Sequence, residues 1–569
     1  MKGQRILLAL SALWCALGAG GPVSAQAAEA DRVLLISIDG MHALDFAHCA
    51  NGISGVNGGL PYCPNIAELS EHGVNYLSAS TSKPSDSFPG LMAIVTGGSP
   101  RTFGAFYDVA YDRSLDPPAK TTGNGVAGGS CTAGAAPTGT TTEFDEGIDL
   151  NQALLNGGAP SGDGGINSID PKRLPRDPNQ GCAPVFPWNF VRTNTIFGVI
   201  HAAGGYTAWT DKHPSYSSVS GPGDGTNLDD YYSPEVNSTV VNLPGVTTPT
   251  GLSCSTIPDP SQTGAWTDSF QNIQCYDTLK VNAILNQIGG KKHDGKPAPR
   301  VPTLFGMNFQ AVSVGQKLIE KHVAVGGYQD SIGTPTHSLL GEIQFVDASI
   351  GQMVSELKKN GLFGSTLIVI SAKHGQSPID PQRFFPIPGP SGTNGQSPAN
   401  IIASLLPFSE SPLNPNGIGP TEDDISLLWL ADSTQTGNAV KMLEANAAAA
   451  GIGEIFSGPA IGLMYKLPGL PPQGDPRTPD IIVAPQVGVV YTGSSKKLME
   501  HGGFAHDDTN VMLLVSNPLF GAKTVSSPVE TAQIAPTILQ ALDLDPHQLD
   551  AVRLEHTQPL PGTAAAETE

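Results

Sequence analysis

The sequence predicts an α/β fold in which a largely parallel central sheet is flanked by helices on both faces. Apolar runs without alternation recur along the chain, and such runs are typical of strands buried on both faces. Helical patterns lie between these runs, as they do in parallel sheets. The 569 residues are enough for a large core. We expect one α/β domain over 28–569 with loop-rich insertions at about 114–190, 217–270 and 385–475.

The N-terminus has the pattern of a secretory signal peptide. Lys2 and Arg5 precede an apolar stretch from Ile6 to Ala19, which is too short to span a bilayer. Small residues follow it up to Ala28, as at a cleavage site. We therefore expect residues 1–27 to be removed, leaving a secreted or periplasmic chain with no transmembrane segment.

Cysteine usage agrees with export, because six cysteines remain once Cys15 leaves with the signal peptide. A zinc knuckle is the competing interpretation, but the chain has no C-x-x-C spacing. Sequential disulfides are expected, because each pair would enclose a Gly/Pro/Ser-rich excursion. The expected pairs are Cys49 with Cys63, Cys131 with Cys182, and Cys254 with Cys275.

The net charge limits the classes of partner. It is −21, and it becomes −23 when Lys2 and Arg5 are removed. Because phosphate backbones bind basic surfaces, a nucleic-acid polymer is not expected as a partner. With 67 Gly and 49 Pro the chain has the composition of a loop-rich secreted globule, and it carries no signal of oligomeric state.

The first predicted strand covers 32–38, and Asp39 follows at its carboxyl end. Open α/β sheets bind ligands at that edge, so Asp39 is a candidate ligand residue. A single Asp after a strand is also a common turn former or helix cap. A helix over 64–73 and a strand over 74–79 come next and lead into a tight turn.

The turn from Ser82 to Gly98 predicts a strand, a sharp bend and a short helix. Pro89 suits the first helical turn and Gly97 suits the C-terminal cap. Ser87 would then lie at a helix N-terminus, where free N–H groups and the helix dipole favour an anion. The simpler interpretation is that Ser87 or Asp86 only caps the helix.

Later strands also end in polar residues. Asp211, Lys212 and His213 follow a predicted strand over 206–209, and they suit either a solvated surface or the rim of a site. Lys373 and His374 follow a strand beginning at Ser365, which is unusual for a simple turn. The other elements expected are helices over 195–204, 276–288, 338–359 and 529–542, and strands over 302–309, 479–485 and 511–516.

Five short blocks, taken in order, resemble the alkaline phosphatase superfamily, within it the type I phosphodiesterase/nucleotide pyrophosphatase branch. The blocks are Ile36–Gly40, Lys83–Pro89 with Val95–Gly97, Ser371–Gly375, His501–Gly502 and Thr531–Leu539. The resemblance implies an alkaline phosphatase-like fold and a nucleophile at Ser87. It also implies a phosphate-binding role for Lys83 and for Gly90, which replaces the Asn usual in the nucleophile turn.

The same resemblance implies a divalent metal, zinc in this branch, with Asp39, Ser87, His374 and His501 as ligands. Three positions depart from the pattern. Lys373 replaces a ligand Asp, and Val312 and Gln316 stand where the branch has Asp and His. None of the three is a normal zinc ligand, so one ion is expected rather than two.

Asp330 and His337 lie nearby in sequence and are candidates to replace the lost ligands. Lys373 is a catalytic candidate, because its positive charge would supply part of the charge of the missing metal.

The function expected is an exported, metal-dependent hydrolase of small phosphate monoesters or diesters that forms a phosphoserine at Ser87. A sulfatase of the same fold is an alternative, although the segment from Ser87 to Leu91 lacks the Arg of the Cys/Ser-x-Pro-x-Arg turn. A second alternative is a degenerate relative that only binds an anionic or envelope ligand.

Overall fold

The computed structural model describes residues 30–144, 169–237, 243, 245–254, 266–320, 324–389, 396–407, 421–492 and 494–563. The expected signal peptide lies outside the described residues, as do parts of the three expected insertions. Among the described residues, every helix is too short or too polar to cross a bilayer.

Eight strands of the described chain form the central sheet, and they are numbered here along the chain. They are β1 (Arg32–Ile38), β2 (Gly73–Tyr76), β3 (Ala208–Thr210), β4 (Asp230–Tyr232), β5 (Leu304–Phe309), β6 (Thr366–Ser371), β7 (Leu514–Ser516) and β8 (Lys523–Val525). Their order across the sheet is β8-β2-β7-β6-β1-β5-β3-β4. Strand β1 therefore lies in the interior of the sheet, with β5 and β6 as its neighbours.

The sheet is largely parallel, as predicted. Strand β1 runs parallel to both β5 and β6, and the parallel pairing continues through β3 to β4. Strand β7 is the exception, because it is antiparallel to both β6 and β2. The carboxyl ends of β1, β3, β5 and β6 consequently meet at one edge, and the candidate residues follow these strands.

Helices cover both faces of the sheet, which confirms the predicted fold class. The helices that pack on it are α1 (Ala43–Asn51), α2 (Pro64–Ser70), α3 (Ser87–Thr96), α4 (Ile196–Ala202), α5 (Phe270–Ile288), α6 (Ala311–Lys317), α7 (His337–Lys359) and α8 (Ile534–Ala541). Successive side chains of a strand point to opposite faces. Val33 and Leu35 pack with α3, α4 and α8, whereas Leu34 and Ile36 pack with the other five helices.

The strand predicted at 479–485 exists as Ile481–Pro485, but it lies in a separate four-stranded antiparallel sheet. The other strands of this small sheet are Thr421–Glu422, Ser426–Leu428 and Ile452–Ser457. One of its faces packs on a helix, Thr436–Ala445, and the other on aromatic residues that include Phe106. The sequence predicted a loop-rich insertion here because its strands are short and separated by Gly and Pro.

The starts of two helices and the existence of helix α6 also differ from prediction. The last helix was expected over 529–542, but Val529–Glu530 is a short strand and the helix begins at Ile534. Helix α6 was not predicted, because Gly315 interrupts a run of only seven residues. Helix α5 begins at Phe270, several residues before the predicted start, with Ser269 as its N-cap.

All three predicted disulfides are present. Cys49 joins Cys63, Cys131 joins Cys182, and Cys254 joins Cys275, with Cα–Cα distances of 5.1, 6.0 and 5.7 Å. The first ties helix α1 to the start of helix α2. The second closes a loop within the insertion expected at 114–190, and the third joins the insertion expected at 217–270 to helix α5.

Glu422, in the small sheet, gives a testable pH dependence of stability. Its carboxylate accepts hydrogen bonds from Ala399 N–H and Ser426 Oγ, both at 2.8 Å, but burial raises its pKa to about 7. The native state therefore holds a proton that the unfolded state releases, and stability falls as pH rises from about 4.5 to 7. The loss is about 3 kcal/mol. We expect Glu422→Gln to remove this part of the fall, as measured by urea unfolding at pH 4.5 and 8.

The matched control is Glu454→Gln, which removes an exposed carboxylate from the same sheet. It should leave the difference in unfolding free energy between the two pH values unchanged. An equally steep fall in Glu422→Gln and in the wild type would refute this origin.

Candidate active site

Ser87 is the first residue of α3, as the sequence predicted. The cap of this helix is Asp86, whose Oδ2 accepts the N–H of Phe88 at 3.2 Å. Gly97 ends the helix in the left-handed conformation, with φ 77°, and donates its N–H to Ala93 O. Capping therefore falls to Asp86, and the Ser87 hydroxyl is available for another partner at the positive end of the helix.

Gly90 allows α3 to approach the end of β6 closely. A Cβ at this position would lie 2.0 Å from the carbonyl oxygen of Lys373, so no side chain fits. The Gly90 N–H donates to Asp86 O at 2.8 Å and is already used within the helix. Its predicted phosphate contact stays a prediction, and the contact that the structure shows for Gly90 is steric.

Backbone hydrogen bonds tie the loops of this edge together. Gly40 N–H donates to His374 O at 3.1 Å, and Gly375 N–H donates to Asp508 O at 2.7 Å. Ser85 and Gly502 exchange a pair of backbone hydrogen bonds next to Ser87. The loops after β1 and β6, the turn before α3 and the segment containing His501 thus form one connected frame.

Asp39 is fully buried in this frame. Its Oδ2 accepts hydrogen bonds from Asn308 Nδ2 at 3.2 Å and from Gln310 Nε2. Burial by itself would raise the pKa of Asp39, but Lys373, His374, Lys212 and the Gln310 hydrogen bond together hold it well below its usual range. Asp39 is therefore an anion, and its other oxygen, Oδ1, is buried without a hydrogen-bond partner.

Lys212 is the side chain that contacts the Ser87 hydroxyl. Its Nζ donates to Ser87 Oγ at 2.9 Å and lies 3.6 Å from Asp39 Oδ2. The side chain is only 12% exposed, so the lysine is no surface charge. Of the two interpretations of the 211–213 segment, the structure supports a place at the site. The signal for Lys212 in the sequence was its position directly after β3.

Lys373 lies behind Lys212 and is fully buried. Its Nζ is 2.9 Å from Asp211 Oδ1 and 3.8 Å from the centre of the Tyr216 ring. Burial lowers the pKa of Lys373, while Asp211 and Asp39 act in the opposite direction. The described contacts of Lys373 are therefore with Asp211 and Tyr216, and Lys212 is the lysine that reaches Ser87.

His374 and His501 stack beside Asp39, with ring centres 3.9 Å apart. His374 Nδ1 donates to Gly375 O at 2.8 Å, so its Nε2 carries a lone pair, 3.8 Å from Asp39 Oδ2. Burial lowers the pKa of His374 to about 4, which keeps this imidazole neutral. His501 Nδ1 lies 3.3 Å from Asp86 Oδ1, and the His501 side chain is 10% exposed.

The positions of the lost metal ligands are filled by packed side chains. Val312 is buried in the apolar core on one face of the sheet. Gln316 donates to Gly40 O at 2.8 Å and accepts from Gln376 at 2.6 Å, so its amide is engaged on both sides. Asp330 caps its own loop through Ile332 and Thr334, and His337 is exposed at the start of α7. Neither replaces a lost ligand.

The residues present do not fit the expected zinc ion. In the described chain, no group of three or more His, Cys, Asp and Glu side chains is arranged to hold a metal. The Lys212 ammonium lies between Ser87 Oγ and Asp39, two of the oxygens that an ion would join. Unit charges about 4 Å apart repel by about 4 kcal/mol at an effective dielectric of 20, and a divalent ion doubles this repulsion. The donor chemistry opposes a cation at this place.

Lys83 is not brought into the site by any contact that the structure shows. Its side chain is exposed, and its carbonyl accepts a hydrogen bond from Tyr465. It lines a cavity of about 270 Å³ whose lining does not include Ser87. Sequence reasoning placed Lys83 near phosphate from its motif, and that role stays a prediction. The sequence patterns also did not identify Asn308 and Gln310 as site residues, although both lie at the carboxyl end of a predicted strand.

Comparison with known proteins identifies a matching family and similar solved structures. The type I phosphodiesterase / nucleotide pyrophosphatase family profile matches residues 33–164 and 265–507, more than half of the chain. A structure of murine ectonucleotide pyrophosphatase / phosphodiesterase 5 superimposes with a TM-score of 0.51 at 13% identity, covering 90% of this chain and 95% of that one. Wild-type alkaline phosphatase PafA gives 0.50 at 12% identity, covering 91% and 96%. A comparison with curated protein sequences finds no match.

Proposed function

We propose, from the premise that this chain belongs to the type I phosphodiesterase/nucleotide pyrophosphatase family and is a phosphoric ester hydrolase, that Ser87 is its nucleophile and forms a phosphoserine intermediate. The observation that carries the proposal is the position of Ser87. Its hydroxyl lies at a helix N-terminus and contacts a lysine ammonium at 2.9 Å. Both features stabilise an oxyanion and attract a phosphoryl group.

Each step of the reaction has a residue suited to it. Ser87 Oγ attacks phosphorus, and the Lys212 ammonium offsets the negative charge on the attacking oxygen. His501 is the imidazole proposed to pass the Ser87 proton to the leaving oxygen, because its ring is 10% exposed and lies 3.3 Å from Asp86 Oδ1. Burial holds the pKa of His501 well below its usual range, so the neutral ring first accepts that proton. His374 is fully buried, and its Nε2 lies 3.8 Å from Asp39 Oδ2 without a hydrogen bond, so no proton transfer is assigned to it. Water then releases phosphate from Ser87.

A zinc ion is expected at this site only because the sequence resembles the family. The branch implies Asp39, Ser87, His374 and His501 as ligands, and of these Asp39 Oδ1, His374 Nε2 and His501 Nδ1 are buried without hydrogen-bond partners. A metal bound there would polarise a phosphoryl oxygen. Because the ammonium of Lys212 opposes an ion at this place, no step of the mechanism is assigned to a metal.

The substrate class proposed is a small phosphate ester. An inactive variant of the murine relative was solved in complex with AMP, so a nucleotide ester is a reasonable member of the substrate panel. A sulfate ester is disfavoured by Leu91, which occupies the place of the sulfatase Arg and is fully buried. Export is proposed from the signal-like N-terminus, and three disulfides are typical of an oxidising compartment.

Trapping the intermediate tests the proposal. The full chain is mixed with 4-nitrophenyl phosphate, bis(4-nitrophenyl) phosphate, a nucleotide diester or 4-nitrophenyl sulfate, and quenched in acid after a short time. We expect hydrolysis of at least one phosphate ester and a phosphorylated Ser87 in the peptide map. Hydrolysis of the sulfate alone would assign the chain to sulfatases, and binding without turnover would identify a degenerate relative.

A further inference from the structure

We propose, on the basis of the hydrolase function above, that the ammonium group of Lys212 takes the place of the divalent ion and that ester hydrolysis by this chain needs no divalent metal. A metal in such a site has two tasks. It holds the nucleophile oxygen against a carboxylate, and it supplies positive charge to the transferring phosphoryl group. The contacts of Lys212 satisfy both.

The first task follows from geometry. Lys212 Nζ lies 2.9 Å from Ser87 Oγ and 3.6 Å from Asp39 Oδ2, so one cation joins the nucleophile to the carboxylate after β1. Asp39 is held in place by amide groups of Asn308 and Gln310 at the end of β5. The carboxylate that faces Lys212 is thus fixed by residues at the ends of β1 and β5.

The second task follows from the charges. Three buried carboxyl groups, Asp39, Asp86 and Asp211, surround two ammonium groups, Lys212 and Lys373, which are themselves buried or nearly so. Lys373 pairs with Asp211 at 2.9 Å, so the Asp211 charge is matched without Lys212. The partly exposed Lys212 is therefore the cation directed at Ser87 and at an incoming phosphoryl group.

The chain has also lost the means to hold a metal in the neighbouring place. Position 316 carries a glutamine whose amide is bonded to Gly40 and Gln376, and position 312 carries a valine buried in the core. Position 373 carries a cation where the family has an acid. A site in which a lysine replaces the metal should lack metal ligands and should hold that lysine between the remaining oxygens. This chain has both features, because three ligands are lost and Lys212 lies between Ser87 Oγ and Asp39 Oδ2.

The proposed reaction balances without a co-reactant other than water. The bond from phosphorus to the leaving oxygen breaks, and a bond from phosphorus to Ser87 Oγ forms. The hydroxyl proton of Ser87 ends on the released alcohol. Water then attacks the phosphoserine, one of its protons returns to Ser87 Oγ, and the phosphate product leaves. Lys212 stays an ammonium throughout, so it acts by charge and position.

The test begins with the wild-type full chain, dialysed against EDTA and analysed for metals by mass spectrometry. We expect substoichiometric zinc, no zinc binding by calorimetry, and turnover of the aryl phosphate esters unchanged by EDTA or by added Zn²⁺, Mg²⁺ or Mn²⁺. Turnover that disappears in EDTA and returns with a metal, or stoichiometric zinc binding, would overturn the inference.

Variants of Lys212 supply the second arm. Lys212→Met should lower kcat by about 100- to 1000-fold, the usual cost of one oxyanion-stabilising group, without rescue by added zinc. Lys212→Arg keeps the charge and should retain part of the activity. Lys359→Met, which removes an exposed lysine from α7, is the matched control and should leave kcat unchanged. Wild-type kcat in Lys212→Met would refute the inference.

The outcomes separate the two proposals. If Ser87→Ala is inactive and the wild type needs a metal, the hydrolase function stands and the metal-free mechanism fails. If Ser87→Ala retains full activity, the assignment of Ser87 as the nucleophile fails, whether or not the wild type needs a metal. Circular dichroism on each variant shows whether it is folded, and the measurements on the wild type decide the question even if Lys212→Met does not fold.

Discussion

Replacing Ser87 with Ala is expected to lower kcat for aryl phosphate hydrolysis by about a thousandfold or more, because the covalent route then has no nucleophile. The fold should survive, since Asp86 rather than Ser87 caps α3. Initial rates with a phosphate monoester and a diester, together with a thermal melt, measure both effects. The phosphorylated peptide should also disappear from the acid-quenched sample.

Ser82→Ala is the matched control, because it removes a hydroxyl from the same turn whose described contact is with Pro84 O. It should leave kcat near the wild-type value. Ser87→Thr keeps a hydroxyl and should retain measurable turnover. Hydrolysis by Ser87→Ala at the wild-type rate would show that another group, or water directly, attacks phosphorus.

Replacing Lys373 with Met is expected to cost about 3–5 kcal/mol of unfolding free energy, the usual price of leaving one member of a buried ion pair alone. Lys373 and Asp211 are both fully buried and 2.9 Å apart. Without the lysine, Asp211 retains hydrogen bonds from Trp209 Nε1 and Lys212 N–H but loses its counter-charge. Urea unfolding of the variant beside the wild type gives the free-energy difference.

The double variant Lys373→Met with Asp211→Asn should recover much of that loss, because the amide keeps an acceptor and carries no charge. Its activity then reports on Lys373 itself, which the sequence places among the catalytic residues. Full activity in a stable double variant would confine Lys373 to a structural role. A Lys373→Met protein as stable as the wild type would contradict the buried pair.

Much of the fold could be predicted because buried parallel strands have a strong signature. The runs that become β1, β5 and β6 are mostly apolar without alternation, and residues at the end of each reach the site. The disulfides followed from spacing and compartment. The small antiparallel sheet could not be predicted, since strands of two to six residues separated by Gly and Pro carry little periodicity.

The site could also be predicted only in part, because short motifs identify single residues and not the contacts between them. Motifs identified Asp39, Ser87, His374 and His501, and the structure brings the side chains of all four to one edge. Motifs selected Lys373 as the cation near Ser87, but in the structure the lysine that contacts Ser87 Oγ is Lys212. Which lysine reaches Ser87 depends on how the loops after β3 and β6 lie against α3. These loops are far apart in the chain, and only the arrangement of the strands brings them together.

The frame around Ser87 is held together by hydrogen bonds between peptide groups. Gly40, Gly375, Ser85 and Gly502 make the joining hydrogen bonds through main-chain atoms, whichever side chains lie beside them. The main chain therefore sets where Ser87 lies, whereas side chains such as Lys212 and Lys373 set the charge around it.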